Sequence, residues 1–385
     1  MKRGYTIYMN YDELSIKLHS QHKGKLSISL RDNTELDKDK LSAYYTPGVS
    51  AVSQAIADDP DKLADYTWTN NLVAVISDGS AVLGLGDIGP KASMPVMEGK
   101  SLLFKRFAGI DSVPIVLDVH SVNEIVATVK AIAPSFGAIN LEDIAAPKCF
   151  EVEDRLKQEL DIPVFHDDQH GTAIVTLAGL INALKVVGKD KGEVRAVVLG
   201  AGAAGTAIIK LLSLYGIGSI VAVDSQGIIS DDRSDLNESK QSMLRYIDSS
   251  KSGSLADALD NADIFIGVSR PSILTADMVR TMAPQPIVFA LANPTPEIMP
   301  DEAARGGVAV LATGRSDFPN QVNNALVFPG VFRGALDSGV KQITDQHKIA
   351  AAEALASLIE NPSASEIIPS PFDERVVQAV ASQIN

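Results

Sequence analysis

A single cysteine in 385 residues leaves no partner for an internal disulfide, and Cys149 alone cannot furnish a cysteine-rich metal site. With no visible activating neighbour, it reads as a small buried hydrophobe rather than a nucleophile. Long hydrophobic runs are missing too. No apolar stretch reaches about 18 residues, and none follows Met1 as in a signal peptide, so the expectation is a soluble, cytoplasmic chain without a membrane span. Basic tracts are likewise absent. Against 34 Lys and Arg stand 48 Asp and Glu, a formal net charge of −14. Nothing in that balance could neutralise a phosphate backbone, which argues against nucleic acid as a partner. The same deficit opposes long-range steering of a small anion, so local cations must hold an anionic substrate. No tandem repeat is present.

What the chain does have is 45% hydrophobic residues and a length that favours two or three domains. Its organising stretch is EVRAVVLGAGAAGTAIIKLLSLYG, residues 193–216. Val194–Leu199 predicts a buried strand, Thr206–Leu214 a helix, and Ile220–Val223 a second strand ending at Asp224. Between the first strand and the helix lie Gly200, Gly202 and Gly205, with Ala203 and Ala204 at the helix entry. This is the order a dinucleotide site requires. The turn aims backbone N–H groups at a pyrophosphate, and the acid lies where it can accept from ribose hydroxyls.

Upstream, strands alternate with helices. Leu72–Ser77 predicts a strand followed by an Asp78-Gly79 hairpin turn and a return strand at Ala81–Gly84. One helix is expected over 51–67, another over 94–110 carrying Lys100, and a capped one from Ser121 and Glu124. Residues 1–42 predict a polar N-terminal arm or a small helical layer, with one weak strand in 19–33. Further strands are expected at 112–119, at 136–147 with Glu142-Asp143 at its end, and at 162–165 running into FHDDQHGT. A helix over 172–187 bridges into the nucleotide unit, a variable polar loop fills 225–240, and two tail helices lie near 347–360 and 372–385. The fold class is α/β: a Rossmann-like dinucleotide-binding domain plus an α/β substrate domain with a parallel sheet, the C-terminal helices packing back. The expected division is residues 1–165 for substrate and metal, 166–320 for the dinucleotide, and 321–385 for the returning helical segment.

Glu142, Asp143 and Asp168 sit at or just beyond two strand ends. Three carboxylates there repel unless a cation joins them, and an all-oxygen set suits Mg²⁺ or Mn²⁺. The alternative is that they cap helices and face water. A zinc site at His166 and His170 fits poorly, since carboxylates dominate. Lys100 and Tyr45 are candidates for proton transfer, or else a helix-surface cation and a packed aromatic.

YTPGV at 45–49, GLGDIG at 84–89, the Lys100 helix, NLED at 140–143, FHDDQHGTA at 165–173, GAGAAG at 200–205, ANPTPE at 292–297 and NNALVFPG at 323–330 together resemble the malic enzyme family, in that family's order and across most of the chain. The resemblance implies oxidative decarboxylation of (S)-malate to pyruvate and CO₂, with malolactic chemistry as the nearest rival. It implies Glu142, Asp143 and Asp168 as ligands of Mg²⁺ or Mn²⁺, Lys100 and Tyr45 as catalytic residues, and Asn293 and Asn324 as contacts to the dicarboxylate, Asn293 also bordering the cofactor. Larger members carry an arginine shortly before GLGD; here Ser80, Ala81 and Val82 stand in that region. A homodimer with the N-terminal arm in the contact is expected. Asp224, with no cation in Ser225, Gln226 or Gly227, predicts NAD over NADP, because a carboxylate repels a 2′-phosphate.

Overall fold

Near-continuous apolar runs dictate strands buried on both faces, the mark of parallel sheets covered by helices. The structure, a computed structural model, describes residues 11–82 and 84–385. Four short helices come first: α1 (Tyr11–His22), α2 (Lys38–Tyr44), α3 (Val49–Asp58) and α4 (Lys62–Tyr66). The single helix expected over 51–67 is broken around Pro60, which lacks the N–H a helix interior needs. The weak strand expected in 19–33 does not form; no ladder partner meets that segment among the described residues.

The first sheet has strand order β2-β1-β3-β4, all parallel, from β1 (Leu72–Ser77), β2 (Asp111–Val116), β3 (Ala138–Leu141) and β4 (Val164–His166). Helices α5 (Gly89–Ala108), α6 (Val122–Ile132) and α7 (Lys148–Glu159) make the crossovers. Ser121 and Glu124 form the expected capping box on α6. The hairpin expected at Asp78-Gly79 is not there. Because β2 and β3 occupy both flanks of β1, a returning strand has no edge to join. The carbonyl of Gly79 instead accepts from Ile88 and Gly89 N–H, and only a single bridge, Val82 to Gly86, closes the loop.

Helix α8 (Asp167–Val187) leads to the second sheet. It begins at Asp167, earlier than the expected Thr172, because two acids in its first turn suit the positive end of the helix dipole. By length and composition it could cross a membrane, but fifteen of its residues are buried inside the protein. The second sheet has order β10-β9-β8-β5-β6-β7, from β5 (Arg195–Leu199), β6 (Ser219–Asp224), β7 (Gly227–Ile228), β8 (Ile264–Gly267), β9 (Ile287–Ala290) and β10 (Val310–Thr313). Only β7 is antiparallel. Around it lie α9 (Ala203–Tyr215), α10 (Glu238–Met243), α11 (Leu255–Leu259), α12 (Ala276–Arg280) and α13 (Pro300–Gly306). This is a Rossmann-like unit beside a smaller parallel α/β unit.

The chain then returns through α14 (Phe328–Ser338), α15 (Asp345–Ser357) and α16 (Arg375–Ala381). Phe328 and Phe332 meet Phe104 of α5 edge-on, with centroids 4.8 and 5.1 Å apart. Each buried ring removes apolar surface worth about 1.5–3 kcal/mol. Arg333 Nη1 donates to Asn71 Oδ1 at 2.7 Å at the foot of β1. Helix α15 packs on α8, so one continuous apolar core joins both sheets and the tail.

Candidate active site

The carboxyl ends of β3 and β4 deliver the acids. After Leu141 the backbone continues the ladder for one residue, Glu142 N–H donating to Ile76 O at 2.8 Å. Asp143 then turns left-handed at φ 53°. Its N–H donates to Asp168 Oδ2 at 2.8 Å, drawing the first turn of α8 against the end of β3. One oxygen each from Glu142, Asp143 and Asp168 lies within 4.8 Å of the others. Three carboxylate oxygens at that spacing, two of the residues buried, are a donor set that fits Mg²⁺ or Mn²⁺.

Lys100 projects from α5 into the same cluster. Its Nζ lies 3.0 Å from Glu142 Oε1 and 2.5 Å from Asp167 Oδ2. Burial opposes the ammonium, but Asp167, Glu142 and Asp168 outweigh it and raise its pKa above the ordinary lysine value. Burial in turn pushes the Glu142 and Asp167 carboxyls up, against the pull of Lys100. Asn140 Nδ2 fixes the other Glu142 oxygen at 3.0 Å. Asp167, fully buried and paired with Lys100, is a candidate site residue that sequence reasoning missed; the signal was the doublet in FHDDQHG, of which only the second acid was singled out.

Gly171 explains how the cluster packs. A Cβ there would sit 1.9 Å from Asp167 Oδ1 and 3.1 Å from Asn324 Cβ. Only glycine lets Asp167 and Asn324 share that turn, and so Asn324 stands beside the Lys100 partner. Asn293 ends β9 on a loop that meets GLGDIG: a Cβ on Gly84 would come within 2.6 Å of the Asn293 carbonyl. Buried Glu297 holds this loop, accepting from Ser269 and Ala292 N–H at 2.9 and 3.0 Å. The two histidines divide. His170 turns away to Glu153, and burial drives its pKa down to about 3. His166 is buried with its ring 3.9 Å from Asp168. Tyr45 does not join the cluster. It caps α2, is 68% exposed, and its hydroxyl has no hydrogen-bond partner among the described residues.

The dinucleotide elements stand at the matching edge of the second sheet. A Cβ on Gly205 would lie 1.8 Å from the Gly200 carbonyl, so this turn closes only around glycine. Gly202 is the N-cap of α9 and supplies no side-chain cap, which leaves the N–H groups of the first turn, Ala203 and Ala204 included, for an anion. Asp224 closes β6, but the loop expected to be variable folds back on it. Arg233 donates to both its oxygens at 2.9 and 3.0 Å, Lys240 to Oδ2 at 2.6 Å, and Gln226 N–H to Oδ1 at 2.8 Å. Burial works against the Asp224 charge, yet these donors hold its pKa down at about 2.

Residues 23–157 match the family pattern described as malic enzyme, N-terminal domain, and residues 169–384 match malic enzyme, NAD binding domain. The chain belongs to the malic enzyme family. It is 53% identical over 380 residues to the bifunctional malic/malolactic enzyme of Bacillus subtilis, covering 98% of this chain and 92% of that one. It is 56% identical to the NAD-dependent malic enzyme of Geobacillus stearothermophilus (90% and 73%) and 49% identical to the NADP-dependent malic enzyme of Halomonas elongata (94% and 89%). Among solved structures, the NAD-dependent malic enzyme from Thermotoga maritima superposes with a TM-score of 0.93 at 48% identity, over 96% of this chain and 98% of that one. Where larger malic enzymes are expected to carry an arginine, Ser80 Oγ bonds Asp78 at 2.6 Å, and Lys148 pairs with the same buried acid. A cleft of about 1300 Å³ opens beside the acid cluster rather than over it, bordered by Ser80, Lys148, Gln169, His170, Thr206 and Lys348.

Proposed function

We propose that this malic enzyme catalyses oxidative decarboxylation of (S)-malate to pyruvate and CO₂ with reduction of a nicotinamide dinucleotide, as a cytoplasmic homodimer. The division of labour is residues 1–165 for substrate and metal, 166–320 for the dinucleotide and 321–385 for the return. The observation that carries the reading is Lys100 Nζ seated between Glu142 and Asp167, against the three carboxylates that fit a divalent cation.

Bound Mg²⁺ or Mn²⁺, held by Glu142, Asp143 and Asp168, supplies Lewis-acid polarisation, and the dinucleotide on the α9 turn supplies the hydride acceptor. The remaining work belongs to side chains. With the neighbouring carboxylates neutralised, Lys100 loses the field that keeps it charged and accepts the proton of the malate C2 hydroxyl. Asn293 and Asn324 hydrogen-bond the dicarboxylate and orient C2. Tyr45 donates a proton to C3 after CO₂ departs. Incubating malate with Mn²⁺ and each dinucleotide, while following reduced cofactor and pyruvate together, tests the whole; lactate without net cofactor reduction would instead establish malolactic chemistry, the second activity in the name of the Bacillus subtilis relative.

For the cofactor we propose NAD with narrow discrimination. The simple repulsion argument assumed a bare carboxylate, whereas the four acceptor positions of Asp224 are filled by Arg233, Lys240 and Gln226. Asp224 and Asp235 balance Arg233 and Lys240, so the locus neither strongly repels nor strongly attracts a 2′-phosphate. A phosphate must still draw Lys240 off Asp224, which a hydroxyl need not do. The expected preference is roughly tenfold, about 1.4 kcal/mol.

A further inference from the structure

We propose that Glu153 is a positioning residue for the metal site: from α7 it holds the β4–α8 junction that carries Asp167 and Asp168. The proposal rests on the reading of Glu142, Asp143 and Asp168 as metal ligands and adds what keeps the last of them in place.

Glu153 stands where its neighbours call for an apolar residue. Cys149, Val152 and Leu156 form the buried stripe of α7, and Glu153 lies in that stripe, 3% exposed. A carboxylate is costly to bury, and an apolar side chain of similar volume in place of a buried ion pair is often neutral or stabilising. Stability alone therefore does not account for an acid here.

Its contacts do. Lys157, one turn further along α7, neutralises it with Nζ 2.6 Å from Oε1. Its hydrogen bonds outside α7 all come from residues 166–170. The His166 N–H donates to Oε1 at 3.1 Å and Gln169 Nε2 donates to Oε2 at 3.1 Å. His170 Nε2 lies 2.9 Å from both oxygens. A carboxylate only accepts, so this nitrogen carries the ring proton. The three donors bracket the acid doublet: one precedes Asp167 and two follow Asp168.

The doublet has little else to hold it apart from the site itself. His166 is the N-cap of α8 but makes no side-chain cap, and both its ring nitrogens are buried without a hydrogen-bond partner among the described residues. Asp167 is drawn to Lys100, and Asp168 accepts from the Asp143 N–H. Both of those contacts lie within the acid cluster. No hydrogen bond or ion pair among the described residues joins Glu153 to Lys100 or to the three ligands, so Glu153 acts on the site only through the segment it grips. Its charge also suits the positive end of the α8 dipole. A ligand held to within about 0.5 Å needs a support of this kind, and loss of such a support typically costs 10–100-fold in metal affinity.

The test is Mn²⁺ binding by calorimetry to wild type, Glu153→Gln and Glu153→Asp, well below the melting temperature of each. Dinucleotide affinity without metal is measured alongside. Glu153→Gln should weaken Mn²⁺ binding by about 10–100-fold and leave the dinucleotide Kd within about twofold. Glu153→Asp, which keeps the charge, should recover part of the loss. Unchanged Mn²⁺ affinity in Glu153→Gln, even with a lower melting temperature, overturns the proposal and leaves Glu153 a structural acid. Equal weakening of Mn²⁺ and dinucleotide also overturns it, since that is general loosening. If Glu153→Gln fails to fold, Gln169→Met removes a single donor from the same carboxylate and should weaken Mn²⁺ selectively; unchanged Mn²⁺ affinity there overturns the proposal as well. Wild-type protein that binds no Mn²⁺ overturns the metal reading itself, a separate failure that takes this proposal with it.

Discussion

The backbone N–H of Asp143 donates to Oδ2 of Asp168 at 2.8 Å, and through that bond the end of β3 and the first turn of α8 hold each other in place. Asp143 makes it from the left-handed region, at φ 53°, which aspartate tolerates better than most residues. Two acids far apart in sequence thus set each other's orientation before any cation arrives.

From this bond follows a difference between two substitutions. Asp143→Asn keeps the turn and the N–H but removes one carboxylate charge; metal affinity should fall about 10–100-fold with little change in melting temperature. Asp168→Ala removes a ligand and the acceptor of the Asp143 N–H together, and metal-dependent turnover should vanish while the fold persists. Titrating Mn²⁺ by calorimetry and by activity checks both, and full activity in Asp168→Ala would sink the metal assignment.

Lys100 and Tyr45 should separate in partial reactions. Lys100→Ala should impair both malate oxidation and the tautomerisation of enolpyruvate. Tyr45→Phe should chiefly slow protonation at C3 and leave the reduction of added oxaloacetate less affected. Losses of about 10²–10⁴ in the impaired steps are expected. Equal loss in every step for both variants would refute the division.

At the cofactor locus, Lys240→Ala should lower kcat/KM for NADP by about tenfold and leave that for NAD within about twofold, because only a 2′-phosphate draws on Lys240. Asp224→Ala should disorder the 225–240 loop, since Arg233 and Lys240 lose their shared partner. Steady-state kinetics with both dinucleotides at saturating malate measures the first effect, and proteolytic nicking in the loop reads the second.

Lys348 gives a prediction about stability. It is buried, and burial pulls its pKa down to about 8, Lys157 adding to the effect and Asp345 opposing it. Between pH 8 and 10.5 the unfolded chain binds more protons at this residue than the folded one, so its contribution makes stability rise with pH across that window. Holding it charged at neutral pH costs about 3 kcal/mol. Lys348→Met should stabilise the fold at pH 7 by up to about 3 kcal/mol, the Asp345 pair being already included in that net cost. The difference from wild type should vanish near pH 10.5, and denaturant titrations at several pH values would show it.

Much of this was legible because the relevant signals are local. The apolar run before GAGAAG, Ser121 with Glu124, and the acids after NL pointed to a strand, a cap and a cluster of acids without reference to the rest of the chain. What escaped depends on partners distant in sequence. The Asp78-Gly79 dipeptide looks like a hairpin until β2 and β3 are known to flank β1. Asp167 looks like a helix cap until α5 brings Lys100 to it across 67 residues. Asp224 looks bare until the loop folds Arg233 and Lys240 onto it. Tyr45 and Lys100 look like a pair by family resemblance, yet Tyr45 stands exposed while Lys100 is paired with Glu142 and Asp167.

Helix α8 is built like a drive shaft. Its first turn carries Asp168, and both α15 and α9 of the Rossmann-like unit pack against it. Its interior has no proline, and an unbroken helix of 21 residues resists bending. Any tilt of the dinucleotide unit that carries α9 with it must therefore turn the far end of the shaft, where the metal ligand sits. If seating the cofactor tilts α9, its affinity and the grip on the cation change together, and by linkage each ligand alters the other's affinity by the same factor.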